Sequence, residues 1–262
     1  MVYPPCFIPL RMALSGWCLW GFALHSAGAE PDPAKPSAHE VRQVEGWTVH
    51  VDTRVIEGQP AEGFAAPVEI LRRRLAEVRF VLPGAAVARL QQVPIWLDAS
   101  HGKLKSAQYH PSAGWLKSNG YNPALAKAVH IPSADDYARV RHHRIQPWSV
   151  LHELAHAYHD QVLGFEHPEI KAAWQVFRDS HKYDSTLHIE GGQVRHYALT
   201  DQKEFFAEMT EAYFGVNDFY PFNRAELKQA EPELFEQMGR WWSDNLPDKP
   251  SAPVARPTGG GR

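Results

Sequence analysis

Cysteine is nearly absent from the chain: Cys6 and Cys18 are the only two, and both lie near its start. Arg11 precedes the apolar run MALSGWCLWGFAL, and Ala27, Gly28 and Ala29 form a small-x-small site before Glu30. Residues 1–29 therefore read as a secretory signal peptide, starting at Met1 or Met12. A chain trimmed there has no thiol, which excludes disulfides, thiolate metal ligands and a cysteine nucleophile. Any metal has to be held by histidine and carboxylate. Long hydrophobic runs are missing too, because the apolar stretch of the leader is too short and too quickly ended for a stable membrane span. The expected destination is secreted or periplasmic, with no stable membrane insertion after signal cleavage. Long basic runs and basic-aromatic alternation are also lacking. The net charge is −3, or −4 once Arg11 is removed, so no nucleic-acid partner is expected.

What is present suffices for one sizeable buried core: 262 residues, 44% of them hydrophobic. Residues 30–40, with PDPAKPSA, read as a Pro-rich flexible linker, and 247–262 as a disordered tail, which leaves a folded domain over 41–246. Alternation in WTVHVDTRV, 47–55, suits a half-buried strand. Residues 66–81 place Val68, Leu71, Leu75, Val78 and Phe80 near helical spacing before Pro83 and Gly84. VPIWLD, 93–98, is the next strand, either an internal one or an edge beside a cleft that pairs with an extended peptide. Residues 101–146, rich in Gly, Pro, Asn and His, suit loops and short helices. RAELKQAE and PELFEQMGRWWSDN are helix-compatible, with Trp241 and Trp242 packing the second onto the body.

Fifteen histidines stand out, and two are spaced for chemistry. VLHELAHAYHDQ, 150–161, lies between Pro147, which suits a first helical turn, and Gly164, which suits a stop. Leu151, Leu154, Ala155, Tyr158 and Val162 gather on one side of that helix, while His152 and His156 stand one turn apart. Imidazoles at i and i+4 can both reach a zinc ion at about 2.0–2.1 Å. Glu153 completes HExxH and, about 100° further round, suits a general base acting on a metal-activated water. HExxH is short enough to arise by chance, so a third ligand matters. The extended motif with a third His fails, since His159 and Val162 occupy its positions; His159 reads as a cleft-wall or exposed residue. The remaining histidines, among them His101, His110 and His130, show no ligand spacing and read as surface or core residues. His196 draws attention by adjacency to Tyr197. Trp115, Tyr109 and Tyr121 either line subsites or pack inside.

A carboxylate ligand has a candidate helix in YALTDQKEFFAE, 197–208, where Glu204, Glu208 and Glu211 share one face at i, i+4 and i+7. Two readings stand side by side. Asp201 and Glu204 have capping-box spacing, and Glu208 and Glu211 suit a solvated face. Alternatively the face is buried and its acids need a metal and histidines as partners.

HELAHAYHD together with YALTDQKEFFAE resembles the catalytic domain of the anthrax lethal factor family of zinc metallopeptidases, in which HExxH is followed by a helix carrying EFFAE. The likeness covers roughly 148–214. VPIWLD, AQYHPSAGWL and GVNDFYPF in addition resemble secreted bacterial proteins regarded as metallopeptidases. The resemblance implies an α+β, zincin-like domain with a small, mainly antiparallel sheet, an HExxH active-site helix and a helical C-terminal part. It implies Zn2+ held by His152, His156 and Glu204, with Glu153 as base and Tyr197 as donor to the developing oxyanion or leaving group. Glu208 would support a ligand histidine from behind, and Asp160 matches an acidic position after HExxH. The toxin's additional domains are lacking, so its delivery and protein substrates are not implied. The expected partner is a peptide or protein substrate. A catalytically silent zinc-binding recognition module on the same scaffold is the alternative, against which the intact Glu153 argues.

Overall fold

A computed structural model describes residues 34–57 and 66–243. The signal-peptide and tail readings lie outside the described residues. Residues 34–38, expected as flexible linker, instead run against the body: the Ala34 carbonyl accepts from Ser100 Oγ at 2.7 Å, and Lys35 Nζ donates to the Gly120 carbonyl at 2.7 Å. Strands β1 (His39–Val44) and β2 (Trp47–Asp52) then form an antiparallel hairpin. Its two-residue loop, Glu45 and Gly46, has φ of 53° and 94°, the left-handed pair that matches strand twist. Gly46 is further constrained by space, since a Cβ there would lie 2.1 Å from Gln91 Nε2.

Trp47, Val49 and Val51 point into the core at the period of two. The strand ends earlier than the pattern predicts, at Asp52. Its buried carboxylate accepts the Arg54 amide at 3.0 Å and pairs with the guanidinium, which turns the chain into α1 (Thr53–Glu57). Helix α2 (Pro67–Val81) buries Leu71, Leu75 and Val78, whereas Phe80 is 90% exposed. Nine residues after Leu71, Phe80 falls on the opposite face, so it does not belong to the apolar stripe. Helix α3 (Gly84–Leu90) leads into β3 (Ile95–Leu97).

The sheet order is β1-β2-β3-β5-β4, where β4 is Gln108–Tyr109 and β5 is Val129–Ile131. β2, β3 and β5 run parallel, while β1 and β4 flank them antiparallel. One expectation is thereby corrected and one alternative decided. The sheet is mixed rather than mainly antiparallel, because helical crossovers between β2 and β3 return the chain in the same direction. VPIWLD is internal, with Ile95 and Leu97 fully buried, and the edge beside the cleft is β4.

The long stretch 101–146 contains α4 (Ala113–Ser118), α5 (Ala134–Ala138) and α6 (Val140–Ile145) besides β4 and β5. Helix α7 (Ser149–Tyr158) continues as a π-helical turn, His159–Leu163, and stops at Gly164, where φ is 87°. After α8 (Pro168–Asp179) come a short hairpin, β6 (Thr186–Leu187) and β7 (Gln193–Val194), and a 3-10 turn, Tyr197–Leu199. Helices α9 (Gln202–Phe214), α10 (Arg224–Ala230) and α11 (Pro232–Trp241) complete the C-terminal part. The fold is thus mixed α and β with a small five-stranded sheet.

Helix α7 packs between sheet and α9. Leu151, Leu154, Ala155 and Tyr158 are buried there, and Trp242 stacks on Tyr158 with ring centres 4.1 Å apart. The exit of α9 lies against the entry of α7: Gly215 leaves room for the Trp148 ring, which a Cβ would approach to 2.4 Å. That contact sets the two helices side by side in opposite directions. No helix among the described residues is long and apolar enough to cross a membrane.

Candidate metal centre

His152 and His156 leave the same face of α7, ring centres 4.8 Å apart. Opposite them, α9 starts at Asp201, whose Oδ1 accepts the amides of Lys203 at 2.8 Å and Glu204 at 3.0 Å. Asp201 thus caps the helix, and the Glu204 carboxylate is turned to the histidines. Glu204 Oε2 lies 3.1 Å from His152 Nε2 and 3.3 Å from His156 Nε2. Donors held at about 2.0–2.1 Å around a tetrahedral ion stand about 3.3 Å from one another, so these separations fit a zinc-sized ion. His152, His156 and Glu204 are positioned to hold a metal ion. Burial by itself would raise the Glu204 carboxyl, but hydrogen bonds from His152 and His156 outweigh it and hold it well below the usual carboxylate range.

Behind this trio the helix face i, i+4, i+7 is buried, with Glu208 2% and Glu211 4% exposed. A solvated face is therefore excluded, because residues 205–213 are enclosed on every side. Glu211 Oε2 is 3.2 Å from His152 Nδ1, whereas Glu208 Oε1 is 3.7 Å away. Glu211, rather than Glu208, is within hydrogen-bond reach of the His152 ring. Burial would lower the His152 pKa, but Glu204 and Glu211 overcome it and raise it well above the ordinary value. Burial, then the charges of Asp218 and Glu211, raise the Glu208 carboxyl well above its usual range. Asp218 is pushed up to about 7 by burial and by Glu211.

Glu153 projects from α7 into the cleft beside the trio. Its Oε2 accepts the Tyr109 amide of β4 at 2.7 Å. Burial lifts its carboxyl, against the pull of His156, His152 and that amide. Tyr197 also lines the cleft, on a turn capped by His196, whose Nδ1 accepts the Ala198 amide at 3.1 Å. The adjacency of His196 to Tyr197 is thus a backbone cap. Burial and the charge of Glu204 raise the Tyr197 hydroxyl, which keeps it a donor.

Asp160 touches neither ligand histidine. It accepts from Tyr109 Oη at 2.7 Å and from Lys127 Nζ, so the π-helical turn of α7 anchors β4. His159 is fully buried against Phe165 and Phe206 rather than on a cleft wall. Burial pushes its pKa down to about 3. The cleft has a volume of about 590 Å³ and is lined in addition by Gln108, Tyr137 and Phe219. A smaller recess of about 290 Å³ continues past Gln108 and Tyr109 to Trp115, which is half exposed and stacked on Tyr121.

Asp218 and the role of Glu211 escaped sequence reasoning. The first lies in GVNDFYPF without a spacing that marks it, and the second could have been found only by knowing that α9 is buried all round. The arrangement brings two imidazoles, one ionised carboxylate, a raised-pKa carboxyl and a phenol to one cleft. No protein-family model, curated protein or solved structure significantly matches this chain.

Proposed function

We propose that the chain is a zinc-dependent metalloendopeptidase on a zincin-like domain, hydrolysing peptide or protein substrates outside the cytoplasm. The observation that carries this reading is the approach of Glu204 to both histidines of HExxH, at 3.1 and 3.3 Å. A donor set of two imidazoles and one carboxylate suits zinc rather than calcium or magnesium, which take oxygen ligands. Three protein donors rather than four are the number found in catalytic zinc sites. Zinc bound there supplies Lewis acidity, polarising a carbonyl and acidifying water.

The chain's own groups complete the chemistry. Glu153 takes a proton from the attacking water and delivers it to the leaving nitrogen, a role helped by a pKa raised toward neutrality. The Tyr109 amide fixes one of its oxygens, which aims the carboxylate along the cleft. Tyr197 donates its hydroxyl where negative charge accumulates. The local resemblance to the lethal factor family over 148–214 supports the same assignment of His152, His156, Glu204, Glu153 and Tyr197. The test is cleavage of a peptide library with and without chelator, in the wild type and in Glu153→Gln. The variant is expected to keep the zinc that His156→Ala loses, yet to lose cleavage. Full activity in Glu153→Gln, or cleavage indifferent to chelation, overturns the proposal.

A further inference from the structure

Three imidazoles, from β1, from β5 and from the loop after β3, meet at one buried carboxylate. Asp98, just after β3, is fully buried. Its Oδ1 lies 2.7 Å from His39 Nε2 of β1, and its Oδ2 lies 2.6 Å from His101 Nδ1 and 2.8 Å from His130 Nε2 of β5. His130 is fully buried, His101 is 5% exposed, and the ligand-type atoms of Asp98, His101 and His130 lie within 4.8 Å of one another. Behind them His110 Nε2 is 3.2 Å from His130 Nδ1, an outer hydrogen bond of the kind that fixes the tautomer of a metal-binding imidazole.

We propose that Asp98, His101 and His130, with His39 as fourth donor, form a second transition-metal site, structural in kind and separate from the HExxH cleft. Two observations converge on it. The donor set is three imidazole nitrogens and one carboxylate oxygen, which selects zinc-like ions over calcium or magnesium. The donor atoms of Asp98, His101 and His130 are already gathered within 4.8 Å of one another, and all three side chains are buried.

The present separations of 2.6, 2.7 and 2.8 Å are those of hydrogen bonds, about 0.5–0.7 Å short of the roughly 3.3 Å between ligands of a tetrahedral ion. Binding therefore requires a small outward shift and no ring flip, because each nitrogen already faces the carboxylate. His101 sits on a loop beside Gly102, where φ is 58°, and is the donor best placed to give. Four protein donors close the coordination shell, so such a metal ties β1, the β3 exit and β5 together and performs no chemistry. The sequence hides this site because its donors come from positions 39, 98, 101 and 130.

The experiment strips the full chain with chelator, reloads it with Zn2+ alone, removes unbound ion and counts zinc by elemental analysis. Two equivalents are expected in the wild type, one in His156→Ala, one in Asp98→Asn and one in His130→Gln, with excess Ca2+ displacing neither. The same His130→Gln protein should melt at a lower temperature and lose the zinc-dependent rise in Tm left in His156→Ala. One equivalent in the wild type that His156→Ala removes and Asp98→Asn leaves overturns the second site. Two equivalents that persist in both Asp98→Asn and His130→Gln overturn it as well. One equivalent that survives His156→Ala but not Asp98→Asn would instead count against the cleft assignment, so the two failures are distinguishable.

Discussion

Changing Glu211 to glutamine should weaken zinc binding at the His152 site by roughly 5- to 13-fold. A hydrogen bond to a charged partner is worth about 1.5–3 kcal/mol and a neutral one about 0.5–1.5 kcal/mol. The amide keeps the shape and an acceptor at 3.2 Å from His152 Nδ1 but removes the charge. The difference, about 1–1.5 kcal/mol, converts at roughly 1.4 kcal/mol per tenfold, which is near the lower end of losses seen when outer partners of metal ligands are removed. Glu208, at 3.7 Å, is beyond hydrogen-bond reach of His152, so Glu208→Gln should change the Kd by less than about threefold. The assay is competition against a chromophoric chelator at neutral pH, in a background where Asp98→Asn removes the second site, with circular dichroism to verify the fold. A larger loss in Glu208→Gln than in Glu211→Gln would refute the reasoning and return the supporting role to Glu208.

Tyr197→Phe should lower kcat by about 10²- to 10³-fold with zinc content unchanged, since a transition-state donor is lost and no ligand is touched; a drop in metal content would contradict that role. His159 has a folded pKa pushed down to about 3, so its contribution is present above about pH 6.5 and is lost as pH falls toward 3. At pH 5.5 the loss relative to pH 7.5 is about 1.4 kcal/mol, and the stability gap between His159→Leu and wild type in urea melts should shift in the variant's favour by that amount. Trp242→Ala should destabilise the fold by about 3–5 kcal/mol because it opens the stack on Tyr158 and Phe206, whereas Phe80→Ser should stay within about 0.5 kcal/mol. Equilibrium denaturation measures both.

The helical period made α2, α7, α9 and the packing of Trp241 and Trp242 legible, because a spacing of three and four survives in one dimension. The position of Glu204 could be argued only as one of two uses for a carboxylate, capping or contact with the histidines; the geometry shows Asp201 capping and Glu204 turned away. Burial was the harder quantity. A solvated place stayed open for Glu211, and a cleft wall or an exposed place for His159, because each is polar; each is enclosed by elements distant in sequence. Sheet order was illegible for a related reason: a two-residue strand such as β4 has no period, and its place at the edge is settled by pairing with β5. The Asp98 cluster is the extreme case, a site assembled wholly by topology.

The Tyr109 amide bound by Glu153 bears on how this protein avoids sticking to its neighbours. Gln108 of β4 is paired with His130 of β5, and just past the strand the His110 amide donates to the Ala128 carbonyl, which leaves the Tyr109 amide between them as the outward donor. An outward donor on a sheet rim is an invitation to any stray extended chain. Here the carboxylate of Glu153 occupies it, and Pro111 just beyond offers no amide at all. The rim is thus closed by the same group proposed to handle the proton, and a chain docking along it has to compete with that carboxylate for the amide. Mutating Glu153 would accordingly do two things at once, silencing the reaction and uncapping an adhesive edge, so soluble yield and activity should be followed together in such variants.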